Sequence, residues 1–112
     1  MINLNIVIGL FALAAIIGLT ILIKVLKGQE TSKPAVFAHG GLAAVALVLL
    51  VIYYIDNPEG LFVPLILFVI AALGGFYLFF QDITKQAIPK PVALIHAGAA
   101  VAAFVWLLLM II

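Results

Sequence analysis

The sequence predicts an all-α integral membrane protein, with four transmembrane helices in an up-down-up-down bundle built from a duplicated two-helix hairpin. Three observations carry this. Hydrophobic residues make up 69% of the chain and charged residues 8%, where a soluble domain is about half apolar and about a quarter charged. Four apolar runs each approach the roughly 20 residues needed to cross a bilayer. Finally, a gapless shift of 57 residues carries Lys33, Pro34 and His39 onto Lys90, Pro91 and His96, the two histidines being the only ones present.

The first span is expected from about Leu4 to Ile23. Met1-Ile2-Asn3-Leu4 brings no basic segment, and the apolar run that follows is too long for a cleaved signal peptide, so it reads as a retained helix. The second span, Pro34 to Ile55, and the fourth, Pro91 to Ile112, each open on a proline, which the first turn of a helix tolerates because its missing N–H is not needed there. The third runs from Leu61 to Phe80. Together they form a single transmembrane domain over residues 1–112, with repeats 1–55 and 58–112. Little remains for a soluble catalytic domain, and no enzymatic activity is expected.

The repeat extends beyond the histidine motif. Leu4 aligns with Leu61, Phe11 with Phe68, Ala14 and Ala15 with Ala71 and Ala72, and Gly18 with Gly75. In the second helix of each unit Gly41, Ala43, Ala46, Val48 and Leu50 meet Gly98, Ala100, Ala103, Val105 and Leu107. Both units begin on the same side, so they relate by an axis along the membrane normal, which puts both histidines in one leaflet.

Sidedness follows from the lysines, because cytoplasmic connections carry the excess of positive charge. Lys24, Lys27, Lys33, Lys85 and Lys90 lie in or beside the connections after the first and third spans. Those connections are expected to face the cytoplasm of a bacterial inner membrane, with both termini and the turn Asp56-Asn57-Pro58-Glu59-Gly60 on the periplasmic side.

An ionisable side chain inside a span is costly and is a functional-site candidate by default. Each histidine lies five residues past its proline, about 8 Å deeper at 1.5 Å per residue. Positions i, i+4 and i+7 share a helix face; here they read His39, Ala43, Ala46 and His96, Ala100, Ala103. Beyond each histidine the stripe stays small, a shelf on which something flat could lie. Haem between the two histidines needs helix axes further apart than the 8–10 Å of direct contact, and the second and fourth helices of an up-down-up-down bundle are diagonal. His39 and His96 are then candidate axial ligands to the metal, and Ala43, Ala46, Ala100 and Ala103 candidate cofactor contacts. Lys33 and Lys90, six residues before each histidine, could meet haem propionates by charge-assisted contact or simply reach the headgroups. Gly41 and Gly98 point elsewhere and suggest close packing of a neighbouring helix.

The pattern resembles membrane b-type cytochromes, in which histidines on facing transmembrane helices hold non-covalent haem b. The resemblance covers all four spans in architecture and rests, residue by residue, on His39, His96 and the small residues around them. It implies haem b as cofactor and low-spin bis-histidine iron. Both axial positions would be filled, which favours electron transfer or haem handling (storage, uptake or delivery) over oxygen chemistry. No histidine lies near the outer leaflet, so the haem would serve one side. The ligands could come from one chain or from two protomers, and a homodimer with haem at its interface is the favoured expectation because one small bundle has little interior. The bilayer and haem are the expected partners; nucleic acid is not.

Other readings compete. A zinc site needs three or four ligands, and two histidines without cysteine do not supply them. Proton relay lacks a buried carboxylate, since Glu30, Asp56, Glu59 and Asp82 all fall at predicted loops. A small four-span transporter fits the length, but the small multidrug exporters it resembles in size need a glutamate in the first span, which here holds no acid. An accessory subunit of a membrane complex would use the stripes Phe11-Ala15-Gly18 and Phe68-Ala72-Gly75 to pack on partner helices. Tyr53, Tyr54, Tyr77 and Trp106 read as interface anchors or ordinary packing. Met110 lies too near the far end to pair with a histidine.

Overall fold

A computed structural model describes residues 2–112. Among them are four α-helices, α1 (Leu4–Leu26), α2 (Lys33–Asp56), α3 (Phe62–Ile83) and α4 (Lys90–Ile111). Each is long and apolar enough to cross a membrane; helices of this length reach about 33–36 Å, against a hydrocarbon core of about 30 Å.

Backbone hydrogen bonding, rather than the end of the apolar run, sets the helix boundaries. α1 and α3 each continue three residues beyond the expected spans, to Leu26 and Ile83. Both then end in the same motif. Gln29 N–H bonds the Lys24 carbonyl and Gly28 N–H that of Val25; Gln86 N–H bonds the Gln81 carbonyl and Lys85 N–H that of Asp82. This closure requires a left-handed residue just past the helix end. Gly28 takes it freely at φ 69°, whereas Lys85 adopts φ 59° against the clash of its Cβ with the backbone. One consequence is that Asp82 lies inside the last turn of α3 and not in a loop. Asp56 likewise closes α2.

Helix starts are equally local. Asn3 accepts the Asn5 N–H at 2.7 Å through its side chain, and Ser32 accepts that of Ala35 at 3.4 Å. Pro34 and Pro91 occupy the first turns of α2 and α4, as their ring geometry favours.

The helices form a closed ring. α1 packs on α2 and α4, and α3 packs on α4 and α2, with the α2–α3 contact the lightest. No Cα of α1 comes within 8 Å of one of α3, nor of α2 within 8 Å of one of α4, so those pairs are diagonal and meet only through side chains. The core lies between them: Phe11 and Phe68 stack face to face with centroids 3.9 Å apart, over the fully buried Ala46, Leu50, Ala103 and Leu107. Phe11 and Phe68, Ala14 and Ala71, Ala46 and Ala103, and Leu50 and Leu107 are each 57 residues apart, and all are buried.

The outer surface is apolar. Ile55, Phe76 and Ile95 are each about two-thirds or more exposed, an arrangement that water would penalise and lipid does not. Because lipid tails are as apolar as leucine, helix association here rests on close packing and interhelical hydrogen bonds.

Two substitutions test this account by reversible unfolding in mixed micelles followed by circular dichroism. Lys85→Gly relieves the left-handed strain and is expected to stabilise the fold by about 1 kcal/mol. Leu107→Ala opens a cavity in the core and is expected to cost about 2–5 kcal/mol. Equal stability of either variant with the wild type would contradict the packing described.

Candidate functional site

Both histidines are seated in the same way. His39, on α2, places Nδ1 2.7 Å from the Ala14 carbonyl oxygen of α1. His96, on α4, places Nδ1 2.6 Å from the Ala71 carbonyl oxygen of α3. A carbonyl only accepts, so Nδ1–H is the donor in each, and a neutral ring then carries its free lone pair on Nε2. No hydrogen bond to either Nε2 forms among the described residues, and no sealed, unpartnered side-chain nitrogen or oxygen occurs among them.

Glycine creates each seat. A Cβ built on Gly18 would lie 2.7 Å from Cε1 and 3.0 Å from Nδ1 of His39, and one on Gly75 would lie 3.0 Å from Cε1 of His96. Beside an alanine at position 18 the His39 ring would have to shift, and beside one at position 75 the His96 ring would have to give by a few tenths of an ångström. At Gly74 the nearest atom, His96 Cβ, stands at an ordinary 3.6 Å.

The two imidazoles lie close together, with centroids 6.1 Å apart and ring planes nearly perpendicular at 85°. With metal–nitrogen bonds of about 2.0–2.1 Å and ring centres about 1.1 Å beyond, two imidazoles in line on opposite sides of one metal would hold their centres about 6.3 Å apart. The observed spacing matches. No group of three or more His, Cys, Asp or Glu that could hold a metal ion occurs among the described residues. Two protein donors do not complete a tetrahedral site, but they suffice for a metal whose other positions are filled by a macrocycle.

Searches of protein-family models, curated proteins and solved structures find no match to this chain. Its site is therefore argued from its own residues.

The remaining expected site residues divide. Ala43 and Ala100, one turn past each histidine, are half-buried, whereas Ala46 and Ala103 are fully buried beneath the phenylalanine stack. The deeper half of each small-residue shelf is thus filled by the protein's own core. Lys33 does not stand free: its Nζ lies 2.8 Å from Asp82 Oδ2 and 3.0 Å from Thr31 Oγ1. Thr31 donates in turn to Asp82. Lys90 is exposed and makes no ion pair among the described residues. Met110 is at the opposite end, its Cε 3.2 Å from where a Gly60 Cβ would stand.

The small residues outside the histidine stripe are placed differently from the sequence expectation. Gly41 and Gly98 are exposed with nothing near their absent side chains, so no helix of this chain packs on them. Of the stripes Phe11-Ala15-Gly18 and Phe68-Ala72-Gly75, the phenylalanines stack on one another and the glycines receive the histidines, while Ala15 is exposed and Ala72 half-buried. The Ala14 and Ala71 carbonyls left no trace in side-chain chemistry. Their signal was the repeat itself, which returns Ala14, Gly18 and His39 together as Ala71, Gly75 and His96.

Gly18→Ala is expected to drive the His39 ring from its seat, with a loss of about 1–3 kcal/mol for the stranded polar groups, and Gly75→Ala to shift the His96 ring by less and at a smaller cost. Long-range proton–nitrogen NMR of the imidazoles would show the change at one histidine and not the other. Gly9→Ala, with open space around it, is the control that should leave both rings unmoved.

Proposed function

We propose that this chain is a haem-b-binding membrane protein whose axial ligands are Nε2 of His39 and of His96. The observation that carries the reading is the paired imidazoles: each Nδ1 is engaged by a backbone carbonyl, neither Nε2 has a hydrogen bond among the described residues, and the ring centres stand 6.1 Å apart. A backbone carbonyl on the far nitrogen is the partner that fixes ring orientation and raises the basicity of metal-ligating histidines. The donor set fits a bis-histidine haem iron in number, in centre-to-centre spacing and in each ring's being held at Nδ1.

The finer architecture belongs to the same proposal. An up-down-up-down bundle made by duplicating a two-helix hairpin accounts for the equivalent histidine seats, the equivalent helix ends after α1 and α3, and the buried pairs 57 residues apart. The lysines gather at the α1–α2 and α3–α4 connections, which supports a cytoplasmic placement of that side and periplasmic termini in a bacterial inner membrane. Since both ligands meet within one chain, one haem per chain is better supported than ligand exchange between protomers.

When bound, haem iron with both axial positions occupied supplies one-electron redox chemistry without an open site for oxygen. The chain's part is to orient two imidazoles through Ala14 and Ala71, to keep the space beside Ala43 and Ala100 small-sided, and to close the deeper core with Phe11 and Phe68. Lys90, exposed at the lysine-bearing end, is the cation available to a carboxylate. Such a site suits haem handling or electron transfer to a partner on the cytoplasmic side, in the manner of a small b-type cytochrome.

The test is spectroscopic. Protein purified from haem-supplemented cells is expected to show sharp low-spin b-type bands on dithionite reduction, and His39→Ala and His96→Ala are each expected to lose them. A colourless wild-type preparation that also takes up no added haemin would end this reading, as would an unchanged spectrum in both variants.

A further inference from the structure

The two seams between the hairpins α1–α2 and α3–α4 are unlike, although the sequence that builds them repeats. Across the α2–α3 seam, at its lysine-bearing end, Lys33 Nζ binds Asp82 Oδ2 at 2.8 Å. Thr31 Oγ1 lies 2.8 and 3.0 Å from the two carboxylate oxygens. Outside this cluster Phe37 meets Phe79 edge to face, with centroids 5.6 Å apart.

At the α4–α1 seam the residues 57 positions away are different. Val25 stands for Asp82 and is buried, Ile88 stands for Thr31 and is half-buried, and Lys90 stands exposed where Lys33 is paired. Leu94 and Leu22 replace the phenylalanine pair. One seam is thus closed by apolar packing. The other has the lightest helix–helix contact in the molecule and is held at its end by a polar cluster.

The polar cluster bears directly on the histidines. α2 carries His39 six residues beyond Lys33, about 9 Å along the axis, and α3 carries Gly75, the seat of His96, seven residues before Asp82, about 10 Å. Parting α2 from α3 would therefore draw His39 away from His96 while leaving each ring bonded to the carbonyl of its own hairpin. The ammonium is half exposed and the carboxylate 9% exposed. A pair so placed can exchange its partner for water without unfolding a helix, because both residues lie in terminal turns.

The geometry points to a latch: Lys33, Thr31 and Asp82 hold α2 against α3, and release of this cluster opens the α2–α3 seam as the lateral passage to the histidine pair. That a planar iron ligand uses the passage rests on the haem reading; the latch itself does not.

The experiment separates the two. The chain has no cysteine, so Ala38→Cys with Phe76→Cys, both exposed positions on α2 and α3, gives one spin-label pair across the seam. In the parent the distance distribution is expected to be narrow. Asp82→Asn and Thr31→Val are expected to broaden it toward longer distances, and the exchange Lys33→Asp with Asp82→Lys to narrow it again. Distributions identical to the parent in both single variants, in protein whose circular dichroism is unchanged, would overturn the latch. Stopped-flow haemin association should then be about two- to fivefold faster in Asp82→Asn, the population change expected on losing an ion pair whose ammonium is half exposed to solvent. An opened distance distribution with an unchanged association rate would overturn the passage. If the parent binds no haemin, the ligation reading fails while the distances still decide the latch.

Discussion

An imidazole within an apolar bundle must find a hydrogen-bond partner there, and this chain offers it a helical backbone carbonyl. That choice constrains nearly everything around it. The Ala14 carbonyl already belongs to the α1 ladder, and a second donor can reach it only from the helix surface. The residue four positions on would normally block the approach, since its Cβ leans back over the preceding turn. Glycine at position 18 removes the obstruction, and Gly75 does the same for Ala71. An interhelical bond of this kind contributes about 0.6–1.7 kcal/mol in a membrane. Its larger effect is to fix the register of α1 against α2 and of α3 against α4.

That register sets what lies deeper. Phe11 and Phe68 each precede a carbonyl-bearing alanine by three residues, so seating the histidines brings both phenyl rings to the same level between the diagonal helices, where they stack. A parallel pair at this separation needs small neighbours. Ala46 and Ala103 provide them, with Leu50 and Leu107 filling the next layer. The alanines that follow each histidine therefore serve two different needs along one stripe. Ala43 and Ala100, one turn past the imidazoles, are half-buried, whereas Ala46 and Ala103 are buried in the aromatic core.

Spans, first-turn prolines and the paired histidines were legible in the sequence because each depends on composition or on a local rule. The inward assignment of small residues was not. Gly18 and Gly41 have the same side chain and lie in similar apolar surroundings, yet one receives an imidazole and the other faces outward. What distinguishes them is the identity of the residue opposite on another helix, and hydropathy that is nearly uniform around a helix gives no account of that. Asp82 was misplaced for a related reason. Apolar composition stops at Phe80, but the helix continues until a left-handed residue closes it, at Lys85. Those three additional helical residues are what bring the carboxylate to Lys33.

Repetition also explains why the site can be nearly symmetric while its edges are not. His39 and His96 have equivalent seats, each on a carbonyl 25 residues earlier and beside a glycine 21 residues earlier, as the sequence repeat at 57 residues returns them. Nothing in the seats constrains the seams, which are formed between copies and are free to diverge. At one seam position 25 is valine, which suits permanent apolar closure, and at the other position 82 is aspartate, which suits a bond that can be exchanged for water. Had both seams been apolar, a flat ligand could reach the histidines only by disrupting close packing on one side. Had both been polar, the two hairpins would be joined at this end mainly by exchangeable contacts. One of each keeps the hairpins together while leaving a single edge able to part, and the lighter α2–α3 packing lies on that edge.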